Sequence, residues 1–185
     1  MSRPAFIVDG FTELKIVQRL CPGSPVQRTD LNGRSVTVNA ICSKISSLIR
    51  ILNNRYYPIV ILIDKEDRDI SFKDFASQVT AGLKKDFQND DIRVGVADRM
   101  IENWIISDWK TFCLNKSKKP SETDGINGTS MIKKVKGIYN KRADGVDLFI
   151  KNNPSIMYKT SASFKYFIDL LDDVDCHFTQ FKNNN

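Results

Sequence analysis

Five consecutive aliphatic residues, Ile59 to Ile63, follow Pro58 and end on Asp64. A strand with one wet face alternates polar with apolar residues, whereas an unbroken apolar run fits a strand buried on both faces, the situation of a parallel sheet covered by helices on each side. The rest of the first half supplies the periods such a sheet needs. Ala5 to Val8 is a short apolar stretch that stops at Asp9-Gly10, and Thr12 then opens an amphipathic segment with Leu14, Val17, Leu20 and Cys21 at helical spacing. Ser35 to Ala40 alternates as a second strand would, and Ile45, Leu48, Ile49 and Leu52 mark a second helix closed by Asn53-Asn54. Beyond the buried strand, Phe72, Phe75, Val79, Leu83 and Phe87 predict a third helix, and Ile92 to Ala97 a last strand. The order β-α-β-α-β-α-β predicts an α/β fold with a mainly parallel sheet flanked by helices.

After Met100-Ile101-Glu102-Asn103-Trp104 the character changes to a helix reaching about Trp109, a Lys- and Ser-rich loop from Asn115 to Thr129, and then short helices. We therefore expect an α/β core over residues 1–109 and a basic, mainly helical lobe over 110–185, packed on the core as one structural unit. A chain of 185 residues is long enough for this and too short for two full enzyme domains. The formal charge is +6, and its source is uneven: Lys110 through Lys165 holds twelve Lys and Arg against four acids. That surplus suits an anionic partner such as nucleic acid. Lys133, Lys134, Lys136 and Arg142 are the candidate phosphate contacts, the alternative being a solvated face.

The chemistry left open is narrow. A single histidine, His177, argues against a His-based zinc site or a Ser-His-Asp triad, and Cys21, Cys42, Cys113 and Cys176 form no C-x-x-C pair. With no signal-peptide core and no span of ~18 apolar residues, a cytoplasmic location with no membrane contact is expected. No G-x-x-x-x-G-K-[ST] stretch is present to bind nucleotide as a P-loop does.

Carboxylates remain, and they cluster just beyond strand ends, where an α/β fold builds its sites. Asp9 ends the first strand, with Glu13 following in the first helical turn; Glu13 alone also reads as a helix N-terminal acid. Asp64-Lys65-Glu66-Asp67-Arg68-Asp69 follows the buried strand, and positions 64 and 66 share a direction if the backbone stays extended. The competing reading is a solvated turn whose acids Lys65 and Arg68 neutralise. Glu102 lies within the apolar IENWII, either facing solvent at a helix start or turned toward a site. Such groups suit Mg2+ or Mn2+, hard cations held by one or two carboxylates plus water and substrate phosphate.

These segments, FIVDGFTE, IVILIDKEDRD and VGVADRMIENWIISD, resemble a Toprim-like family, and within it a small bacterial branch related to the overcoming-lysogenization-defect nucleases. Asp9-Gly10-x-Thr12-Glu13, Asp64-x-Glu66, Glu102-x-Trp104, Tyr139-x-Lys141 and Ser163-Phe164-x-x-Phe167 stand where that branch carries E-G-x-T-E, D-x-D, E-x-W, Y-x-K and S-F-x-x-F. The first glutamate is here Asp9 and the second aspartate Glu66, so both positions keep a carboxylate with altered reach. The resemblance implies a Toprim-like fold and Mg2+- or Mn2+-dependent cleavage of phosphodiester bonds in DNA or RNA, with an ABC-type ATPase as a partner in defence against phage.

The leading expectation is thus a metal-dependent nuclease. Asp9, Asp64 and Glu66 would hold the ion or ions, and Glu13 and Glu102 would add ligands or act as general base. Lys141, or Lys134 in the same basic helix, would stabilise developing negative charge. The alternative is a catalytically inactive Toprim-like adaptor that docks a protein partner through Trp104, Trp109, Phe112, Tyr158, Phe164 and Phe167, although helical spacing of such residues equally builds a core.

Overall fold

A computed structural model describes residues 3–31, 35–52, 54–113 and 118–184, the side chains of 183 and 184 excepted. Its first half runs β1 (Arg3–Val8), α1 (Phe11–Leu20), β2 (Val26–Arg28), α2 (Val38–Leu52), β3 (Tyr56–Asp64), α3 (Phe72–Lys84) and β4 (Ile92–Ala97). Six short α-helices follow among the described residues, α4 (Glu102–Ser107), α5 (Trp109–Phe112), α6 (Gly128–Lys136), α7 (Lys141–Lys151), α8 (Pro154–Thr160) and α9 (Ala162–Asp169), and then a 3-10 helix, Gln180–Asn184. The strands form one all-parallel sheet in the order β2-β1-β3-β4, so the fold is α/β with helices on both faces, consistent with a Toprim-like fold.

Strand pleating sorts the apolar residues into two cores. Ala5, Ile7, Ile59, Ile61, Ile63, Val94 and Val96 face α2 and α3, whereas Phe6, Val8, Val60 and Leu62 face α1 and the C-terminal helices. On that second face β4 presents Gly95, and a Cβ there would collide with the Phe167 ring, so α9 seats directly against the strand. Phe6 and Val8 of the sheet share one apolar cluster with Trp104, Phe149, Phe164 and Phe167. The C-terminal helices are therefore the second layer of the sandwich, covering a sheet face that would otherwise be wet.

Three local expectations need correction. Ser35 to Ala40 is not a strand: Thr37 Oγ1 accepts the Ala40 N–H at 3.2 Å and α2 starts at Val38, so the alternation there belongs to a helix entry. The second strand is instead Val26–Arg28, three residues held on the edge of β1, too short for a period to register. Lys134 and Lys141 do not share a helix, because α6 stops at Gly137, which takes φ +80°, and α7 begins afresh behind Asn140. Part of the Asn115–Thr129 loop, residues 115–117, lies outside the described residues.

The cysteines also depart from their sequence spacing. Cys21 and Cys176 are 155 residues apart, yet the fold brings their Cα atoms to 4.8 Å and they are disulfide-bonded, while Cys42 and Cys113 are buried and outside that bond. No helix among the described residues is long and apolar enough to cross a membrane.

Candidate active site

In a parallel sheet all strands end at the same edge, and the chain leaves β1 toward β2 on one side before returning to β3 on the other. The β1–β3 seam is thus the topological switch point, where loops part and leave a crevice. Asp9 follows β1 and Asp64 ends β3, and the Asp9 N–H donates to Leu62 O at 3.1 Å, which ties the two strand ends together.

Glu13 comes in from α1. The buried face of this helix is Thr12, Glu13, Ile16 and Val17, a different face from the one that Leu14 and Leu20 suggest, and it turns the carboxylate inward to 1 % exposure. Gly10 makes that fold-back possible: a Cβ on residue 10 would lie 2.8 Å from Glu13 Oε2. Glu102 comes from the first turn of α4 and is fully buried, so it does not face solvent at that helix start. It is wedged in place by Gly128, whose missing Cβ would fall 2.8 Å from the Glu102 backbone carbon, and the Tyr139 hydroxyl donates to its Oε1 at 3.1 Å.

Lys141 completes the group from the first residue of α7. Thr12 Oγ1 donates to Lys141 O at 3.2 Å, and Gly145 on α7 lets Thr12 and the Tyr139 hydroxyl approach within about 3 Å of where its Cβ would be. The ammonium Nζ then stands 3.4 Å from Glu102 Oε2, 3.5 Å from Glu13 Oε1 and 3.7 Å from Asp64 Oδ2. A cation at a helix N-terminus opposes the helix dipole, so this placement depends on those three acids.

Electrostatics follow from burial and crowding. Asp9 is pushed up to about 6, mainly by burial and further by Glu13 and Glu66, against the hydrogen bond its Oδ1 accepts from Thr29 Oγ1 at 2.7 Å. Burial raises Asp64 well above the carboxylate range, with Glu13, Asp9 and Glu102 adding and Lys141 opposing. Burial would lower Lys141, but Asp64, Glu13 and Glu102 outweigh it and hold the ammonium charged, above the usual lysine range. Tyr139 is raised by burial and by Glu102.

Glu66 arrives differently from the expectation. The backbone does not stay extended after Asp64; Glu66 takes φ +59° and its N–H donates to Arg99 O at 2.8 Å. Glu66 nevertheless reaches the crevice, because it lines with Asp9, Glu13 and Asp64 a cleft of about 310 Å³ rimmed by Arg28 and Arg142. Within the rest of the run, Asp67 pairs with Arg99 and Lys65 with Asp98. Arg68 donates to the carbonyls of Lys65 and Val36 and lines a small cavity with Asp9, Asp64 and Glu66, of which Glu66 and Asp9 favour its charged form.

Of the candidate phosphate contacts, Arg142 rims this cleft, whereas Lys133, Lys134 and Lys136 are exposed on α6 outside its lining. A larger cavity of about 550 Å³ is lined by Phe112, Lys136, Ile138, Tyr139 and Leu148 and by none of the candidate carboxylates. The aromatic residues considered for docking are mostly interior: Trp104, Trp109, Phe112, Phe164 and Phe167 are buried, and Trp104 Nε1 donates to Ser163 Oγ at 2.8 Å. Tyr139, Arg28 and Asp30, which pairs with Arg28 at 3.3 Å and lines the same cleft, are members of the site that sequence reasoning did not single out. Tyr139 was visible only as part of Tyr139-x-Lys141, and nothing near Arg28 and Asp30 marked them.

Residues 8–172 match the family model described as a domain of unknown function, DUF4276. The chain belongs to the DUF4276 family. The match takes in every residue of the crevice, from Asp9 through Lys141, so this site lies wholly within the DUF4276 domain. Comparisons with the curated proteins and with the solved structures find no match.

The fit of the crevice to a cation is a matter of its oxygen atoms. Glu13 Oε1 and Oε2, Asp64 Oδ1 and Glu102 Oε2 are buried without a hydrogen-bond partner, which is costly for carboxylates unless positive charge meets them. Lys141 Nζ already stands beside Glu13 Oε1 and Glu102 Oε2, so Glu13 Oε2 and Asp64 Oδ1 are the oxygens left to a further cation. Among the described residues no three carboxylate, imidazole or thiol groups are close enough to enclose a metal by themselves. Mg2+ and Mn2+ do not require that, since an all-oxygen donor set of one or two carboxylates completed by water and phosphate is what such ions take.

Proposed function

We propose that this DUF4276 protein is a divalent-metal-dependent nuclease that cleaves phosphodiester bonds of DNA or RNA. The observation that carries the reading is the set of buried carboxylates at the β1–β3 switch point, with unpartnered oxygens, beside a lysine and beneath an arginine-rimmed cleft. Asp9, Asp64 and Glu66 are the residues that would hold Mg2+ or Mn2+, one or two of them as direct ligands with water and substrate phosphate completing the shell. Such an ion, when bound, supplies a Lewis acid for phosphoryl oxygens and makes water more acidic.

The chain's own groups do the rest. Arg28 and Arg142 at the cleft rim bind backbone phosphate, which orients the scissile bond over the carboxylates. Glu13 accepts a proton from the attacking water through one of its unpartnered oxygens. The Lys141 ammonium, kept charged by its three acids, stabilises negative charge that develops on the phosphoryl oxygens. Glu102, fixed by Tyr139, holds that ammonium in position. Lys133, Lys134 and Lys136 add sequence-independent contacts to flanking phosphates, with the salt dependence such contacts bring.

The resemblance to Toprim-like nucleases agrees with this reading and extends it to an ABC-type ATPase partner in phage defence. Burial of the aromatic residues removes the main support for a purely adaptor role. The test is cleavage of labelled DNA and RNA with Mg2+ or Mn2+ and with chelator. Metal-dependent cleavage that disappears in Asp64→Ala is expected; cleavage retained in that variant overturns the assignment.

A further inference from the structure

Taking the metal-dependent reading of this site as its basis, we propose that the Lys141 ammonium occupies the position of a second divalent ion, so that the crevice takes one ion rather than two. Two-ion phosphodiester sites clamp both the attacking and leaving oxygens with cations ~3.5–4 Å apart. Here four acids, Asp9, Glu13, Asp64 and Glu66, line one crevice and a fifth, Glu102, is buried beside Lys141 behind it, enough carboxylate for two ions by count alone. Their arrangement divides them.

Glu13, Asp64 and Glu102 each place one oxygen 3.4 to 3.7 Å from the same nitrogen, Lys141 Nζ. Those spacings exceed the ~2.7–2.9 Å of a tight charge-assisted hydrogen bond, so the ammonium is shared among three acids rather than paired with one. Glu13 Oε1 and Glu102 Oε2 have no hydrogen-bond partner and belong to side chains 1 % and 0 % exposed, so water does not solvate them. A divalent ion bound by the same three oxygens would sit ~2.1 Å from each, inside the space the ammonium fills, and the two charges would repel. The lysine is also held from its own side: its carbonyl accepts from Thr12, and α7 is capped by Asn140, whose Oδ1 accepts from the Arg142 N–H at 3.0 Å.

Asp64 joins the two halves. Its Oδ2 faces Lys141, while Oδ1 is buried without a hydrogen-bond partner and is the oxygen left for one divalent ion whose shell water and substrate phosphate complete. The site therefore combines one exchangeable divalent ion with one covalently tethered monovalent cation. A tethered ammonium is present at every metal concentration and cannot be chelated away.

The experiment counts Mn2+ bound per chain by electron paramagnetic resonance in equilibrium dialysis, without nucleic acid. One Mn2+ is expected for the wild type and for Lys141→Arg, which keeps the charge, and two for Lys141→Met. Lys141→Met should melt below the wild type in chelator, since it leaves three buried acids unopposed, and regain the difference at saturating Mn2+. Two ions in the wild type, one ion in Lys141→Met, or a Lys141→Met chain still unfolded at saturating Mn2+ would each overturn the inference while leaving the nuclease reading standing. No Mn2+ bound by the wild type would overturn both. One bound Mn2+ with no cleavage of any polymer would overturn only the nuclease reading.

Discussion

Replacing Gly10 by alanine should separate the site from the fold. Gly10 has φ −131° and ψ −171°, extended backbone that alanine adopts without strain. Removing a glycine from such a position restricts the unfolded chain and stabilises by about 0.4–1 kcal/mol. The new Cβ would lie 2.8 Å from Glu13 Oε2, where ordinary contact begins at 3.4 Å. The carboxylate must therefore retreat by about half an ångström or more, which a side-chain end can do at little cost to the fold. It cannot do so while keeping its place beside Lys141 Nζ, now 3.5 Å from Oε1. Misplacement of a reacting group by ~1 Å can cost about 100-fold in rate, so a loss of about 10- to 100-fold is expected here. Thermal melts and Mn2+-dependent cleavage should be measured on the same preparation. The expected pair is an unchanged or slightly raised melting temperature with strongly reduced cleavage. Cleavage at the wild-type rate by a folded Gly10→Ala protein would refute the role given to Glu13, and a large loss of stability would refute the claim that its carboxylate can move cheaply.

Tyr139→Phe leaves Glu102 Oε1 without its donor in a buried site, which should destabilise by about 1–3 kcal/mol, readable in urea melts; no change would mean that the hydroxyl contributes nothing there. Asp9 has a folded-state pKa of about 6 against 3.8 unfolded, so its contribution to stability is full below about pH 4 and is lost as pH rises through about 6. That is about 3 kcal/mol over the interval, and chemical denaturation of the metal-free protein should show it in the wild type and not in Asp9→Asn. Phe167→Ala opens a hole where α9 meets Gly95, and the expected cost is about 3–5 kcal/mol. Because sheet and C-terminal helices share that core, calorimetry should show one transition shifted as a whole, and two separate transitions would contradict a single structural unit.

The parallel α/β architecture and the strand-end acids were legible from periodicity alone. Burial on both faces of a strand leaves no alternative to an unbroken run such as Ile59 to Ile63, and a parallel sheet puts Asp9 and Asp64 at one edge once they end their strands. Short or interrupted elements were not legible. Val26–Arg28 is a strand because β1 offers it an edge, and Ser35 to Ala40 enters a helix despite its alternation, so in both places tertiary contact or a local cap outweighed the pattern.

What the sequence by itself determined was an inventory and a direction: carboxylates at strand ends, a basic second half, too few histidines for other chemistry. Only the tertiary structure decided which acids meet. Glu102 looked as suited to solvent as to a site until Gly128 and Tyr139 closed over it, and Glu13 is turned inward by a helix face set by packing rather than by its own period. Lys141 follows Asp9 by more than a hundred residues, and its ammonium reaches Glu13, Asp64 and Glu102 because α7 docks on α1 at Thr12 and Gly145. The physical reason is the same in each case. Period and charge are local properties of a chain, whereas the desolvation that makes a carboxylate demand a cation exists only after distant segments have excluded water around it.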